Sequence, residues 1–254
     1  MNIVHSYINP GLKGWRKKGA RIHYLKKGDV DISIIFIKSK KRTKNLFLIS
    51  TGFHLEETSG PIFILDSKRI YPSLKKLHER MNIVLIPVIN QIGLKFDEKG
   101  PDKYLRYNEK GINYNSNWGS NREKCIEVSL LEKYVLSLFA KYNIIFVFSL
   151  HEDSTEFGKG YLWMNKIVKD KRLEIQEKLK KRIPENILGM RNRIGLRKGF
   201  VENGIAIVNS KDDSFENFTS EILGIPTLLS EAPFGLSLSQ RIFFHRASLN
   251  SIPL

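Results

Sequence analysis

The sequence predicts an α/β fold: a single domain of three α/β/α layers around a mixed, largely parallel, twisted sheet. Three observations predict it. Short apolar β-type runs alternate with helical segments along the chain, the pattern of a layered α/β protein. Several of these runs are continuously apolar, as expected of strands covered on both faces. The 254 residues show no repeat, low-complexity tract or linker, and that length supports one substantial core. The expected organisation is one domain over residues 1–254, with residues 1–30 as an N-terminal extension packed on it.

Taken in order, the expected strands are 32–37, 46–50, 83–87, 144–150, 205–209 and 227–230. The expected helices are 61–81, 126–142, 170–182, 214–223 and 237–249. The second helix carries Val128, Leu131, Val135 and Leu138 at helical spacing. Residues 170–182 are mostly charged, so that helix is expected on the surface. Residues 90–123 have little periodicity and many Asn, Gly, Lys and Tyr; a loop of that length in a compact domain is commonly functional.

Hydrophobic residues make up 41% and charged residues 27%, the balance of a soluble globular protein. The one cysteine, Cys125, cannot form an internal disulfide, which fits a reducing, cytoplasmic setting. Residues 1–20 lack the apolar core of a secretory signal, and no apolar run is long enough to span a bilayer. The formal net charge of +16 would attract polyanions. The lysines are spread along the chain without a nucleic-acid-binding motif, so the charge is read as a solvated lysine-rich surface, with no specific nucleic-acid partner. The pattern assigns no oligomeric state.

Three expected strands end in polar residues of one chemical kind. Leu46–Ser50 runs into Thr51-Gly52-Phe53-His54-Leu55-Glu56-Glu57, Ile144–Leu150 into His151-Glu152-Asp153, and Thr227–Ser230 into Glu231. Ligands of open α/β sheets bind beyond the carboxyl ends of the strands. If the three strands are parallel neighbours, His54, Glu57, His151 and Glu231 meet in one pocket. Two imidazoles and a carboxylate form a zinc ligand set that leaves one position for water. The metal would acidify that water and polarise a carbonyl. Glu231, outside the ligand set, is then the candidate general base and acid.

At these residues the chain resembles the zinc carboxypeptidase family, including its bacterial murein peptide amidase-like members and its aspartoacylase and desuccinylase relatives. The matching motifs are His54-Leu55-Glu56-Glu57, Ser149-Leu150-His151, Leu229-Ser230-Glu231-Ala232-Pro233, and the loop stretch from Arg106-Tyr107-Asn108 to Asn113-Tyr114-Asn115-Ser116-Asn117-Trp118. The resemblance implies a zinc carboxypeptidase-like, phosphorylase/hydrolase-like fold with one Zn2+ on His54, Glu57 and His151. It implies Glu231 as base and Arg106 as oxyanion stabiliser, with Asn115 and the neighbouring Ser116 at the position that binds the substrate. The implied reaction is hydrolysis of an amide bond in a peptide or cell-wall-type peptide. The alternatives are an N-acyl amino acid deacylase and a non-catalytic ligand-binding relative; the partner is a peptide or acyl amino acid.

Departures from the family pattern bear on the substrate. Ser116 stands where the family has an arginine, and serine supplies neither the charge nor the planar fork that clamps a carboxylate. Arg191, Arg193 or Arg197 could substitute, or the substrate could lack that group. No tyrosine lies a couple of dozen residues before Glu231, and the N-P-D-G segment reads Asn90-Gln91-Ile92-Gly93. Glu56 is read as solvent-facing or as supporting the ligands. Glu152 and Asp153 are read as either orienting His151 or merely polar. Trp118 and Trp163 are read as core, Cys125 as buried, and His5, His23, His78 and His245 as without a role.

Overall fold

The computed structural model describes residues 2–96, 102–153, 158–189, 191–194, 199–207 and 212–253. In chain order its elements are α1 (Ile3–Lys17), β1 (Arg21–Lys27), β2 (Val30–Ile37), β3 (Asn45–Thr51), α2 (Ser59–Leu65), α3 (Ser67–His78), β4 (Asn82–Ile86), α4 (Asp102–Arg106), α5 (Ile126–Lys141), β5 (Asn143–Asp153), β6 (Tyr161–Met164), α6 (Arg172–Arg182), β7 (Arg191–Ile194), β8 (Gly199–Glu202), β9 (Ile205–Ile207), α7 (Phe215–Asn217), β10 (Thr227–Pro233) and α8 (Leu238–Leu249).

The strands form one 10-stranded sheet in the order β1-β2-β4-β3-β5-β10-β6-β9-β8-β7. Its centre, β4-β3-β5-β10, is parallel throughout. Antiparallel joints flank it, at β2-β4 on one side and β10-β6 on the other. The mixed sheet expected from the sequence is therefore present, with β3, β5 and β10 as adjacent parallel neighbours.

Continuous apolar runs are explained by helices on both faces. Phe47 and Ile49 of β3, Ile83 and Leu85 of β4, and Phe146 and Phe148 of β5 face a core shared with α1, α2, α3, α6 and α8. The intervening Leu46, Leu48, Val84, Ile86, Ile144 and Val147 face a second core under α5, closed by Trp118, Phe215 and Phe218. Side chains alternate faces along a strand, so each run must be apolar at every position to serve both layers.

The structure differs from the sequence reading at particular elements. The helix expected over 61–81 is two helices broken at Asp66, whose backbone leaves the helical region and whose carboxylate accepts from Lys68 N at 3.1 Å to cap α3. Residues 1–30 contain α1 and the edge strand β1; β1 is not legible because Ile22, Tyr24 and Leu25 are interspersed with basic residues and most of its side chains are exposed, as is common for an edge. The helix expected over 214–223 is the short α7 followed by a π-helical turn, Phe218–Ile222. β6, β7 and β8 were not expected, being only four residues each. The strand expected over 205–209 is β9 as far as Ile207; 208–209 lie outside the described residues. Among the described residues no helix is long and apolar enough to cross a membrane.

Candidate metal centre

The site is built where β3, β5 and β10 end. Beyond Thr51 the chain turns at Gly52, whose φ is +73°; a Cβ there would lie 2.8 Å from Pro87 O and Val88 Cα, so only glycine fits. The next residues deliver Phe53, His54 and Glu57 before α2 begins. Two contacts pin this ligand loop: Leu55 N donates to Leu105 O at 2.9 Å, and Asn2 Nδ2 donates to Leu55 O at 2.8 Å. The N-terminal extension thus holds the segment between His54 and Glu57. It is itself anchored by the buried Trp15, whose indole donates to Ile64 O at 2.8 Å.

His54, Glu57 and His151 are all buried, and one candidate ligand atom from each lies within 4.8 Å of the others. Glu57 sits between the two rings: its Oε1 is 2.7 Å from His54 Nδ1 and its Oε2 is 2.9 Å from His151 Nδ1. The outer nitrogen of His54, Nε2, lies 3.0 Å from Asn113 Oδ1, which also accepts from Asn115 N at 2.7 Å. An amide oxygen only accepts, so Nε2 carries the hydrogen and Nδ1 of the neutral ring presents a lone pair. The lone pair and the carboxylate oxygen, 2.7 Å apart, are two donors directed at one place, which the Arg106 guanidinium also approaches. The donor set therefore fits a metal ion held by His54 Nδ1, His151 Nδ1 and the Glu57 carboxylate.

The outer nitrogen of His151 is 3.5 Å from Glu216 Oε1, and neither buried atom has another hydrogen-bond partner among the described residues. The ring of His151 stacks on Phe53 with 5.1 Å between centroids and 14° between planes. Burial alone would lower the His151 pKa, but Glu57 and Glu216 carry it well above 6.5. Burial alone would likewise raise Glu57 and Glu216; the histidines reverse the sign in both. Glu57 is held far below the usual carboxylate range by His54 and His151, and Glu216 at about 2 chiefly by His151.

Glu231 is the register partner of His151 across the parallel β5-β10 pair. Residues paired in register project to the same face, so its carboxylate rises beside the ligand set without joining it. Its pKa lies well above 4.5, because burial and the neighbouring Glu57, Asp153 and Glu216 outweigh the pull of His151. Arg106, at the end of α4, pairs with Glu56 and with Glu57 Oε1 at 3.1 Å, and its NH1 is 3.4 Å from His54 Nδ1. Of the two readings of Glu56, support of the site is the one its contact with Arg106 favours.

Asn115 and Ser116 lie in the same loop and are already engaged. Asn115 Nδ2 donates to Glu216 Oε2 at 3.0 Å and its Oδ1 accepts from Phe215 N at 2.9 Å. Ser116 Oγ donates to Asn113 O at 2.8 Å. The side chains of Arg191, Arg193 and Arg197 lie outside the described residues.

Glu152 does not orient His151. It accepts from Ser59 N at 2.6 Å and from Arg241, clamping β5 to α2 and α8. Asp153 accepts from the Tyr161 hydroxyl. His245 has a structural part that its sequence context did not suggest: buried, it bridges Ser230 Oγ and Ser59 Oγ at 3.0 Å each, and burial pushes its pKa down to about 3. His78 joins Lys38 O at 2.8 Å. Trp118 lies in the core, Cys125 is buried, and Asn90 braces the turn to Gly93 while donating to Leu105 O at 2.8 Å.

Two site residues escaped the sequence reading. Glu216 lies in the first turn of α7 between the buried Phe215 and the solvent-tolerant Asn217. An acidic residue there reads as an ordinary response to the helix dipole. Asn113 belonged to a recognised stretch, but its contact with His54 spans 59 positions of chain and left no local signal.

No family model and no curated protein matches the chain. Solved structures do. A candidate metallopeptidase of Shewanella denitrificans is 21% identical, with a TM-score of 0.71 over 98% of this chain and 87% of that one. A metallo-carboxypeptidase of Pseudomonas aeruginosa, in complex with (2-guanidinoethylmercapto)succinic acid, is 15% identical, with a TM-score of 0.66 over 95% and 66%. Thrombin activatable fibrinolysis inhibitor is 15% identical, with a TM-score of 0.68 over 98% and 72%. At these identities the likeness establishes the fold, which is that of the metallo-carboxypeptidases.

Proposed function

We propose that this chain is a zinc-dependent hydrolase of the zinc carboxypeptidase family that cleaves an amide bond in a peptide or cell-wall-type peptide. The observation that carries the reading is the convergence of His54, Glu57 and His151 with Glu231 in register beside His151. A bound zinc ion supplies Lewis acidity, which polarises a carbonyl and lowers the pKa of water.

The chain's own residues do the rest. His54 and His151 present Nδ1, and Glu57 its carboxylate, as ligands. Asn113 and Glu216 hold the outer ring nitrogens, which sets the tautomers and orients the rings. Glu231 accepts a proton from the attacking water and returns it to the departing nitrogen. Arg106 directs its guanidinium at the oxygen on which negative charge develops. Its pairing with Glu56 helps to hold the side chain beside Glu57 and His54.

A second reading, an N-acyl amino acid deacylase, is favoured by one observation. Ser116 and Asn115 are neutral and engaged with Asn113 and Glu216, so neither supplies the cationic clamp for a terminal carboxylate. A panel of C-terminal peptides, cell-wall peptides and acyl amino acids separates the readings. The proposal expects near-stoichiometric zinc in protein purified without chelators, and turnover of one panel class. Glu231→Gln should retain zinc and lose about 10²–10⁴-fold in kcat, the usual worth of general acid–base catalysis. Protein that takes up no zinc removes the hydrolase reading. Zinc-loaded wild type that turns over nothing, yet binds a ligand as well as Glu231→Gln does, supports a non-catalytic relative instead.

A further inference from the structure

A cleft of about 620 Å³ opens between α3, α6 and α8, lined by Lys68, Arg69, Pro72, Ser73, Arg182, Phe243, Arg246, Ala247 and Asn250. None of the residues around His54 and His151 contributes to it. Its size lies within the range of about 300–1,000 Å³ common to small-molecule sites.

The lining combines two chemistries. Lys68, Arg69, Arg182 and Arg246 are all exposed at the rim, and no Asp or Glu lines the cleft. Only Arg69 has a carboxylate partner among the described residues, Asp66 at 3.0 Å. Arg182 donates to its own helix at Lys178 O, 3.3 Å away, and Arg246 lies 5.8 Å from the centroid of the Phe243 ring. The floor is apolar, made by the half-buried Phe243 and the buried Ala247, with the exposed Pro72 at its edge. Ser73 and Asn250 add neutral hydrogen-bonding groups.

An excess of basic residues is ordinary in a chain of charge +16. Their convergence on a concave site without a lining carboxylate is not, because like charges brought together repel and neighbouring acids normally intervene. Three of the four cations are arginines, whose planar fork of donors matches phosphate oxygens. A single inorganic anion would leave the aromatic floor unused.

We propose that this cleft binds a small organic polyphosphate of the nucleoside di- or triphosphate kind. Its phosphates lie against Lys68, Arg182 and Arg246, and its planar, apolar part rests on Phe243 and Ala247. The proposal is independent of the hydrolase reading.

Calorimetry on the full, zinc-loaded chain at low salt tests it with ATP, tripolyphosphate and adenosine, alongside sedimentation with anionic phospholipid vesicles. The expected result is saturable one-to-one binding of ATP, several-fold weaker binding of tripolyphosphate, and none of adenosine. ATP affinity should fall as salt rises. Arg182→Glu with Arg246→Glu should weaken ATP binding at least tenfold while leaving the circular dichroism spectrum and melting temperature unchanged. Lys68→Glu alone should weaken it several-fold, which keeps the test decisive if the double variant does not fold. Phe243→Ala should bring ATP down to the affinity of tripolyphosphate. Equal ATP binding by wild type and the charge-reversed variants places the anion elsewhere, such as the metal centre, and overturns the proposal. So does the absence of saturable binding up to millimolar ATP, or equal affinity for ATP and tripolyphosphate. Vesicle binding that ATP cannot displace makes a lipid the ligand and overturns it as well.

Discussion

Glu216 Oε1 lies 3.5 Å from His151 Nε2, on the side of the ring opposite Glu57. The two carboxylates therefore bracket one buried imidazole, Glu57 at Nδ1 and Glu216 at Nε2. A carboxylate behind a ligating histidine fixes its tautomer and raises its basicity. Glu216→Gln should accordingly weaken zinc affinity by about 10–100-fold, the usual cost of losing such a partner. Competition against a chromogenic chelator measures it. Wild-type affinity in the variant would reduce Glu216 to a tether for Asn115.

The same bracket sets a pH dependence. The pKa of His151 in the metal-free chain lies well above 6.5, despite burial, because Glu57 and Glu216 favour the charged ring. A group raised in this way stabilises the fold fully below about pH 6.5, and that contribution fades as pH climbs through the raised value. A metal ion must displace the same proton, so affinity should rise with pH through neutrality and level off above the His151 pKa. Zinc titrations in buffers of different ionisation enthalpy should show release of about one proton per ion at neutral pH. Release of none would mean that His151 is already neutral.

Arg106 touches Glu56, Glu57 and His54, and the proposed mechanism assigns it the developing oxyanion. Arg106→Ala should lower kcat by about 10²–10³-fold, the scale of a lost oxyanion donor, with a smaller change in KM. Steady-state kinetics with matched metal content decides. An effect confined to KM would make Arg106 a substrate-binding residue only.

Glu152 and Arg241 form a buried pair behind the site, with Glu152 also accepting from Ser59 N. Glu152→Gln leaves the Arg241 charge buried without its counterion, a loss of about 3–5 kcal/mol in comparable pairs. Urea denaturation of the metal-free protein should show it as a lower midpoint with unchanged slope. Since Glu152 does not touch His151, the folded variant should bind zinc as wild type does.

Much of this protein was legible in the sequence because its signals are local. Continuous apolar runs at Leu46–Ser50 and Ile144–Leu150 required strands buried on both faces, and the polar residues that end them marked one rim of the sheet. Those two facts, with Glu231 at the end of the Thr227–Ser230 run, were enough to name His54, Glu57, His151 and Glu231 as candidates and to predict the layers in which they sit. What only the tertiary structure decided depends on contacts between segments far apart in the chain. Asn2 holds Leu55 across 53 positions, Asn113 holds His54 across 59, and Asn115 meets Glu216 across 101. No hydrophobic period or capping pattern encodes such a pair, because propensity and periodicity report each residue's own neighbours, whereas a hydrogen bond between distant loops exists only once the sheet has brought them together.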